Sequence, residues 1–264
     1  MKIRVSHESP LCLLDASRRY NDYDYALVHL FEKHPEYFAF FKSSVAMNRE
    51  VLLDNSIFEL GKAFDSKAYV DWICNLLPTY YIVPDVLKNH RATIDSFMDF
   101  TEAYSSVPGL KIGAVQGKTY QELVDCYKFM ADGADYIAMS FDFSYYQITG
   151  RGNTPLERMM TGRQRLIADL IDDGAWCWDK PMHLLGCSLP QEFRYYINNN
   201  IYNIRSVDTS NPIMSGIKGM KYAGDMGLTN KPQGLLADHL DVQLDADQQA
   251  LINYNVKSFR SIVE

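Results

Sequence analysis

The sequence predicts an α/β fold, a single-domain (β/α)8 barrel of the TIM type over residues 1–264. Three observations carry that expectation. Six apolar stretches have the length of buried strands, and their starts fall roughly 20 to 50 residues apart, the spacing of βα units rather than hairpins. A helix-like stretch follows most of them. The chain has the length of one barrel, and neither a short internal repeat nor a clear linker divides it.

The elements follow in order. Lys2–Ser6 or Leu11–Leu14 supplies a first strand, and Tyr25–Phe41 is aromatic-rich and helical in pattern, stopped or bent near Pro35. Val51–Leu53 is a strand running into Asp54. Asp65–Leu77 is a helix with Tyr69, Ile73 and Leu76 or Leu77 on one apolar face, ended by Pro78. Tyr80–Pro84 is a strand reaching Asp85, and His90–Tyr104 a helix that turns Ile94, Phe97, Met98 and Phe100 to the core. Pro108–Gly109 turns the chain into the strand Lys111–Val115, which ends at Gln116. Thr119, with Glu122 three residues on, is a capping-box pattern ahead of a helix over Tyr120–Ala131. Tyr136–Phe141 leads into Asp142 and is followed by a helix over about Thr154–Asp172. Met182–Gly186 leads into Cys187–Ser188, then comes a helix from Pro190 to Asn199. Ile204–Val207 runs into Asp208, Met214–Tyr222 carries no clear pattern, and a last helix runs from Asp245 to about Ile262.

Composition narrows the class. The longest apolar runs, such as Phe38–Phe41, fall far short of the roughly 20 residues that span a bilayer, so no membrane association is expected. The start, Met1–Lys2–Ile3–Arg4–Val5, has no secretory pattern behind it. Five cysteines with no CxxC or CxC pair argue against a disulfide framework and a structural zinc site, and point to the cytoplasm. No His-x-His pair suggests a metal-dependent hydrolase, and no lysine ends a strand as Schiff-base chemistry would require, so neither metal nor cofactor is expected.

Net charge is −7, yet residues 143–165 hold Arg151, Arg158, Arg163 and Arg165 against Glu157, a local 4 − 1 = +3. This basic insertion also carries Tyr145 and Tyr146, and Lys218 and Lys221 follow Gly216 and Gly219 farther on. Arg151, Arg158, Arg163, Lys218 and Lys221 are therefore candidates for contact with nucleic-acid phosphates. A solvated loop and helix face is the plainer alternative.

In a parallel α/β barrel the reacting groups sit at the carboxyl ends of the strands. Here those ends carry Asp54, Asp85, Gln116, Asp142, Cys187 and Asp208. An aspartate between a strand and a helix also serves as an ordinary N-cap. Cys187 reads as a packed strand-end residue and His183 as a core histidine, since both lie in apolar surroundings.

At these strand ends the sequence resembles the tRNA-guanine transglycosylase family. Asp54-Asn55-Ser56-Ile57-Phe58-Glu59 stands where the family has Asp-Ser-Gly-Gly-Phe-Gln, and Ile82-Val83-Pro84-Asp85 closes the next strand with its Asp. Val115-Gln116-Gly117 matches Val-Gln-Gly. Leu184-Leu185-Gly186-Cys187-Ser188-Leu189-Pro190 echoes Leu-Met-Gly-Val-Gly-x-Pro, and Val207-Asp208-Thr209-Ser210-Asn211-Pro212 keeps the Asp and Pro of Phe-Asp-Cys-Val-x-Pro. The matches fall in order over about residues 50–213. The family's zinc-binding cysteine cluster is missing, Met139-Ser140-Phe141-Asp142 replaces its Gly-Gly-Leu loop, and Ile213-Met214 replaces a Thr-Arg. Shorter phage and bacterial relatives that modify DNA are the nearer comparison.

The resemblance implies replacement of guanine in DNA, or in tRNA, by a 7-deazaguanine such as a queuosine precursor. It implies Asp208 as the nucleophile that holds the sugar covalently and Asp54 as the carboxylate that moves protons. It further implies Asp85, Gln116, Gly117, Phe58, Ser140, Asp142 and Gly186 as the lining that binds the bases, on a nucleotide flipped from its stack or single-stranded. A homo-oligomer or accessory protein would supply basic surface that the acidic chain lacks. Two other readings stay open: a barrel enzyme of small phosphorylated metabolites, binding phosphate at Gly216 and Gly219, and a non-catalytic partner subunit.

Overall fold

The computed structural model describes residues 2–141, 143–232 and 234–264, leaving the side chains of Phe143 and Asp225 undescribed. Eight strands run through the described residues. They are β1 (Arg4–His7), β2 (Asp24–Leu27), β3 (Val51–Asp54), β4 (Tyr80–Ile82), β5 (Leu110–Val115), β6 (Tyr136–Met139), β7 (Met182–Leu184) and β8 (Ile204–Thr209). Their order in the sheet is β1-β8-β7-β6-β5-β4-β3-β2, and β1–β8 and the neighbours from β2 to β6 pair in parallel. Sequential parallel strands with intervening helices define an α/β barrel of the TIM type.

The described residues fall into two compact units. One comprises Tyr23–Ser140 and Asp179–Met182 and carries β2 to β6. Three of its helices begin at side-chain caps, Thr119 among them as its pattern predicts. Asp65 accepts from Ala68 N–H ahead of Ser66–Leu76, Asn89 from Ala92 N–H ahead of His90–Ala103, and Thr119 from Glu122 N–H ahead of Tyr120–Gly133. Each side chain satisfies an N–H that the first helical turn leaves unbonded.

The expected helix over Tyr25–Phe41 is a strand, a 3-10 turn at Val28–Leu30 and a later helix. Asp24–Leu27 is β2, with Leu27 beside Asp54 in parallel register, and the helix is Pro35–Ala46. All four β2 residues are buried, so the strand lacks the polar alternation that marks a half-exposed strand. Pro35 opens the helix instead of stopping it, because proline's missing N–H has no partner to lose in the first turn. Phe31, Tyr37 and Phe41 then pack at tilted and edge-on angles as a core cluster.

The other unit comprises the described residues of Met1–Asp22, Phe141–Trp178 and His183–Glu264. Arg4–His7 is the first strand, whereas Leu11–Leu13 is a 3-10 turn leading into the helical turn Leu14–Ser17. The basic insertion is two helices, Phe143–Thr149 and Pro155–Asp172, the second started by a full Thr154–Glu157 capping box. They touch backbone to backbone: a Cβ on Gly162 would stand 2.3 Å from the Tyr146 carbonyl oxygen. Met214–Tyr222 begins within the helix Asn211–Ile217, whose Ile213, Met214 and Ile217 pack with Leu236, Ile252 and Val256. The last helix is Ala246–Val263, capped by Asp245. All five cysteines are free thiols, and among the described residues no helix is long and apolar enough to cross a membrane.

Candidate active site

In the unit carrying β2 to β6, the strand ends bring two carboxylates into hydrogen-bonded settings. Asp54 closes β3 and is 7% exposed. Tyr25 of β2 donates its phenol to Oδ2 at 2.6 Å, and the Ser56 N–H donates to Oδ1 at 2.5 Å. Ser56 has φ +58 and accepts from the His29 N–H through its hydroxyl, so the turn after β3 is tied to the end of β2. Burial, then the charges of Lys33 and His34, bring the His29 imidazole down to about 4.

Asp85 is held by amides alone. Its Oδ1 accepts from Asn55 Nδ2 at 2.8 Å and its Oδ2 from Gln116 Nε2 at 2.7 Å. Asn55 also donates to the Val83 carbonyl, and Gln116 Oε1 accepts from the Lys88 N–H at 3.0 Å. Burial pushes the Asp85 carboxyl up, and the two amides pull it partly back. Gln116 thus spends both ends of its amide inside the protein. Gly117 is a packing position: a Cβ there would come within 3.0 Å of Glu122 Cβ and the Leu123 nitrogen. Phe58 is 48% exposed and Ser140 is buried. Asp142 lies outside the described residues.

In the other unit the central group is Asp208, on β8 and 5% exposed. His183, wholly buried in β7, places Nε2 3.0 Å from Asp208 Oδ1 and Nδ1 2.9 Å from Ser206 Oγ. Ser206 and Asp208 are two residues apart on one strand, so both face the same way and bracket the imidazole. The Gly186 N–H donates to Asp208 at 3.2 Å (Oδ1) and 3.3 Å (Oδ2). Gly186 has φ +60, a left-handed conformation that side chains rarely adopt.

One predicted phosphate contact is corrected. Arg163 is 1% exposed and faces inward. Its Nε and one terminal nitrogen donate to the two oxygens of Glu192, at 2.6 and 3.0 Å. The same guanidinium donates to the Leu185 carbonyl at 2.6 Å and the Gly186 carbonyl at 2.9 Å. A buried guanidinium with four of its five N–H donors on acceptors within the protein is not placed to meet a phosphate. Arg151, Lys218 and Lys221 are exposed and Arg158 is half-buried, with Lys221 lying over the Tyr254 ring at 4.6 Å.

Cys187 is buried, as its apolar surroundings imply, and burial pushes its thiol up. Gly216 makes a helix contact, since a Cβ on it would meet Ile252 at 2.3 Å. Among the described residues, neither unit by itself gathers three ligand atoms that would hold a metal ion.

Sequence reasoning missed Tyr25, Asn55, His183 and Glu192 as site residues. Tyr25 was hidden by the misread element, and His183 was read as core, which is correct for its burial and silent on its partner. No family model matches this chain, and no curated protein matches it.

Proposed function

We propose that this protein exchanges guanine in nucleic acid for a 7-deazaguanine base, with DNA as the favoured substrate. The observation that carries the reading is the setting of Asp208, a barely exposed carboxylate at a strand's carboxyl end, oriented by an imidazole and a backbone N–H. Nε2 of His183 lies 3.0 Å from Oδ1, so the carboxylate is held in one orientation for attack.

In the proposed reaction an Asp208 oxygen attacks C1′ of the target nucleotide. The C1′–N9 bond breaks, and its electron pair leaves with guanine, which takes up a proton. The incoming base then attacks C1′ through N9, loses its proton, and releases the Asp208 carboxylate. Splitting one displacement into two lets the backbone stay intact. Asp54, held by Tyr25 and the Ser56 N–H, is the proposed proton carrier. Asp85 accepts from the purine's N1–H and 2-amino edge through lone pairs that Asn55 and Gln116 leave open, since an ionised carboxylate has about four acceptor sites.

DNA is favoured over tRNA because the sequence lacks the zinc cluster that helps the resembled family position tRNA. The rival role of Gly216 in phosphate binding is disfavoured by its packing against Ile252. The test is incorporation of labelled guanine by the purified protein into DNA and, separately, into unmodified tRNA. Label in DNA supports the proposal as stated. Label in tRNA alone would move it to RNA, and label in neither would refute it.

A further inference from the structure

Three consecutive carbonyls after β7 are each held by a cation. Arg163 donates to Leu185 and Gly186, and Lys231 Nζ donates to the Cys187 carbonyl at 3.0 Å. Both cations also rest on the Phe141 ring, at 5.6 Å for the Arg163 guanidinium carbon and 5.0 Å for Lys231 Nζ. Glu192 neutralises Arg163, and Tyr196 donates to Glu192 at 2.7 Å, so the anchor is closed on itself.

The Leu185 carbonyl and the Gly186 N–H belong to one peptide group. Arg163 therefore grips the oxygen end of the same planar unit whose N–H end donates to Asp208. A cation on a carbonyl oxygen draws electron density through the amide and makes its N–H a stronger donor. A second donor on the Gly186 carbonyl fixes the next peptide, so the glycine cannot rotate its N–H away.

We propose that Arg163 is a positioning residue for Asp208, acting through the Leu185–Gly186 peptide to aim and strengthen the N–H that holds the carboxylate. The nucleophile's identity is taken from the proposed function, but the relationship itself is a property of the folded chain. A merely structural Arg163 would stabilise the loop and leave the charge on Asp208 indifferent to it.

The test reads Asp208 directly by carboxyl-carbon NMR titration, with the Gly186 amide proton as a second probe. His183, Lys231 and Cys187 also act on Asp208 or its neighbourhood, and all three are retained in the variant. That variant is Arg163→Met with Glu192→Met, which removes a buried pair without orphaning either charge. The Asp208 midpoint is expected to rise, because the N–H that favours the ionised carboxylate is weakened. The Gly186 amide proton is expected to move upfield. Unchanged values for both in the folded variant would overturn the proposal. Should the variant not fold, Arg163→Lys decides, since a lysine cannot grip both the Leu185 and Gly186 carbonyls as the guanidinium does. An upfield move of the Gly186 amide proton then supports the proposal, and an unchanged one overturns it. Guanine incorporation plays no part in these readouts, so the coupling can stand even if base exchange fails.

Discussion

The Nε2 atom of His183 lies 3.0 Å from Oδ1 of Asp208, with the imidazole wholly buried. An ionised carboxylate only accepts, so Nε2 carries the proton. In the neutral ring Nδ1 then accepts from the Ser206 hydroxyl at 2.9 Å. The chain Ser206–His183–Asp208 thus has one direction of donation, which sets the tautomer and the orientation of the carboxylate together.

Replacing Asp208 with Asn keeps an oxygen for His183 and for the Gly186 N–H but removes the nucleophile. Exchange of labelled guanine should fall by at least about 10³-fold, while circular dichroism and thermal midpoint stay close to the unaltered protein. An active variant would remove Asp208 from the mechanism.

Ser206→Ala should cost about 1 kcal/mol of stability, because it leaves a buried ring nitrogen without its donor. The sharper readout is the histidine itself. Nitrogen-15 NMR of His183 should show a defined Nε2–H tautomer in the unaltered protein and mixed tautomers in the variant. A fixed tautomer in both would assign the orientation to Asp208 alone.

His7 predicts a pH dependence. It closes β1, is 1% exposed, and packs its ring against Tyr20 and Phe259, while burial, then the Arg260 charge, lowers it from 6.5 to about 3. The folded state resists protonation that the unfolded state accepts. The stability is therefore present above pH 6.5 and is lost as the pH falls towards 3, at about 1.4 kcal/mol per pH unit within the window. His7→Phe should move the midpoint of acid unfolding to lower pH, measured by tryptophan fluorescence. An unshifted midpoint would show that His7 does not govern the acid limb.

The corrected basic surface can be read from salt dependence. Each phosphate contact contributes a slope of about 0.9 in log affinity against log salt on duplex DNA. Arg151→Ala or Lys218→Ala should each lower the slope by about that amount in a binding titration with duplex DNA. A full slope in both variants would place the phosphates elsewhere on the protein.

Gly162→Ala tests the contact between the two helices of the basic segment. The added Cβ would stand 2.3 Å from the Tyr146 oxygen and 2.4 Å from its Cα, and backbone cannot yield as a side chain does. A loss of 1 to 3 kcal/mol, roughly the cost of overpacking, is expected in urea unfolding. A neutral result would mean that the helix Phe143–Thr149 moves aside at little cost.

Much of this architecture was legible because βα units leave strong marks. Thr119 with Glu122 announced its helix, and strands such as Val51–Asp54 end on the polar residues that the sequence singled out. β2 was not legible, since a strand buried on both faces shows no alternation. The carboxylates could be read from strand position alone, but their ligands could not. Asn55 reaches Asp85 from 30 residues away and His183 reaches Asp208 from 25, distances that no local pattern encodes. Arg163 shows the converse, for a run of arginines looks uniformly exposed until one finds Glu192 29 residues on.

That pairing reaches past the single molecule. Neither Arg163 nor Glu192 can be lost alone without stranding the other's charge in the interior, a change that costs about 3 to 5 kcal/mol. The two positions form one heritable unit, with every single-step route between the charged and uncharged versions crossing a destabilised intermediate. Descendants of this sequence should therefore keep both residues or replace both, and the pair should persist as a lineage marker where the surrounding surface has drifted.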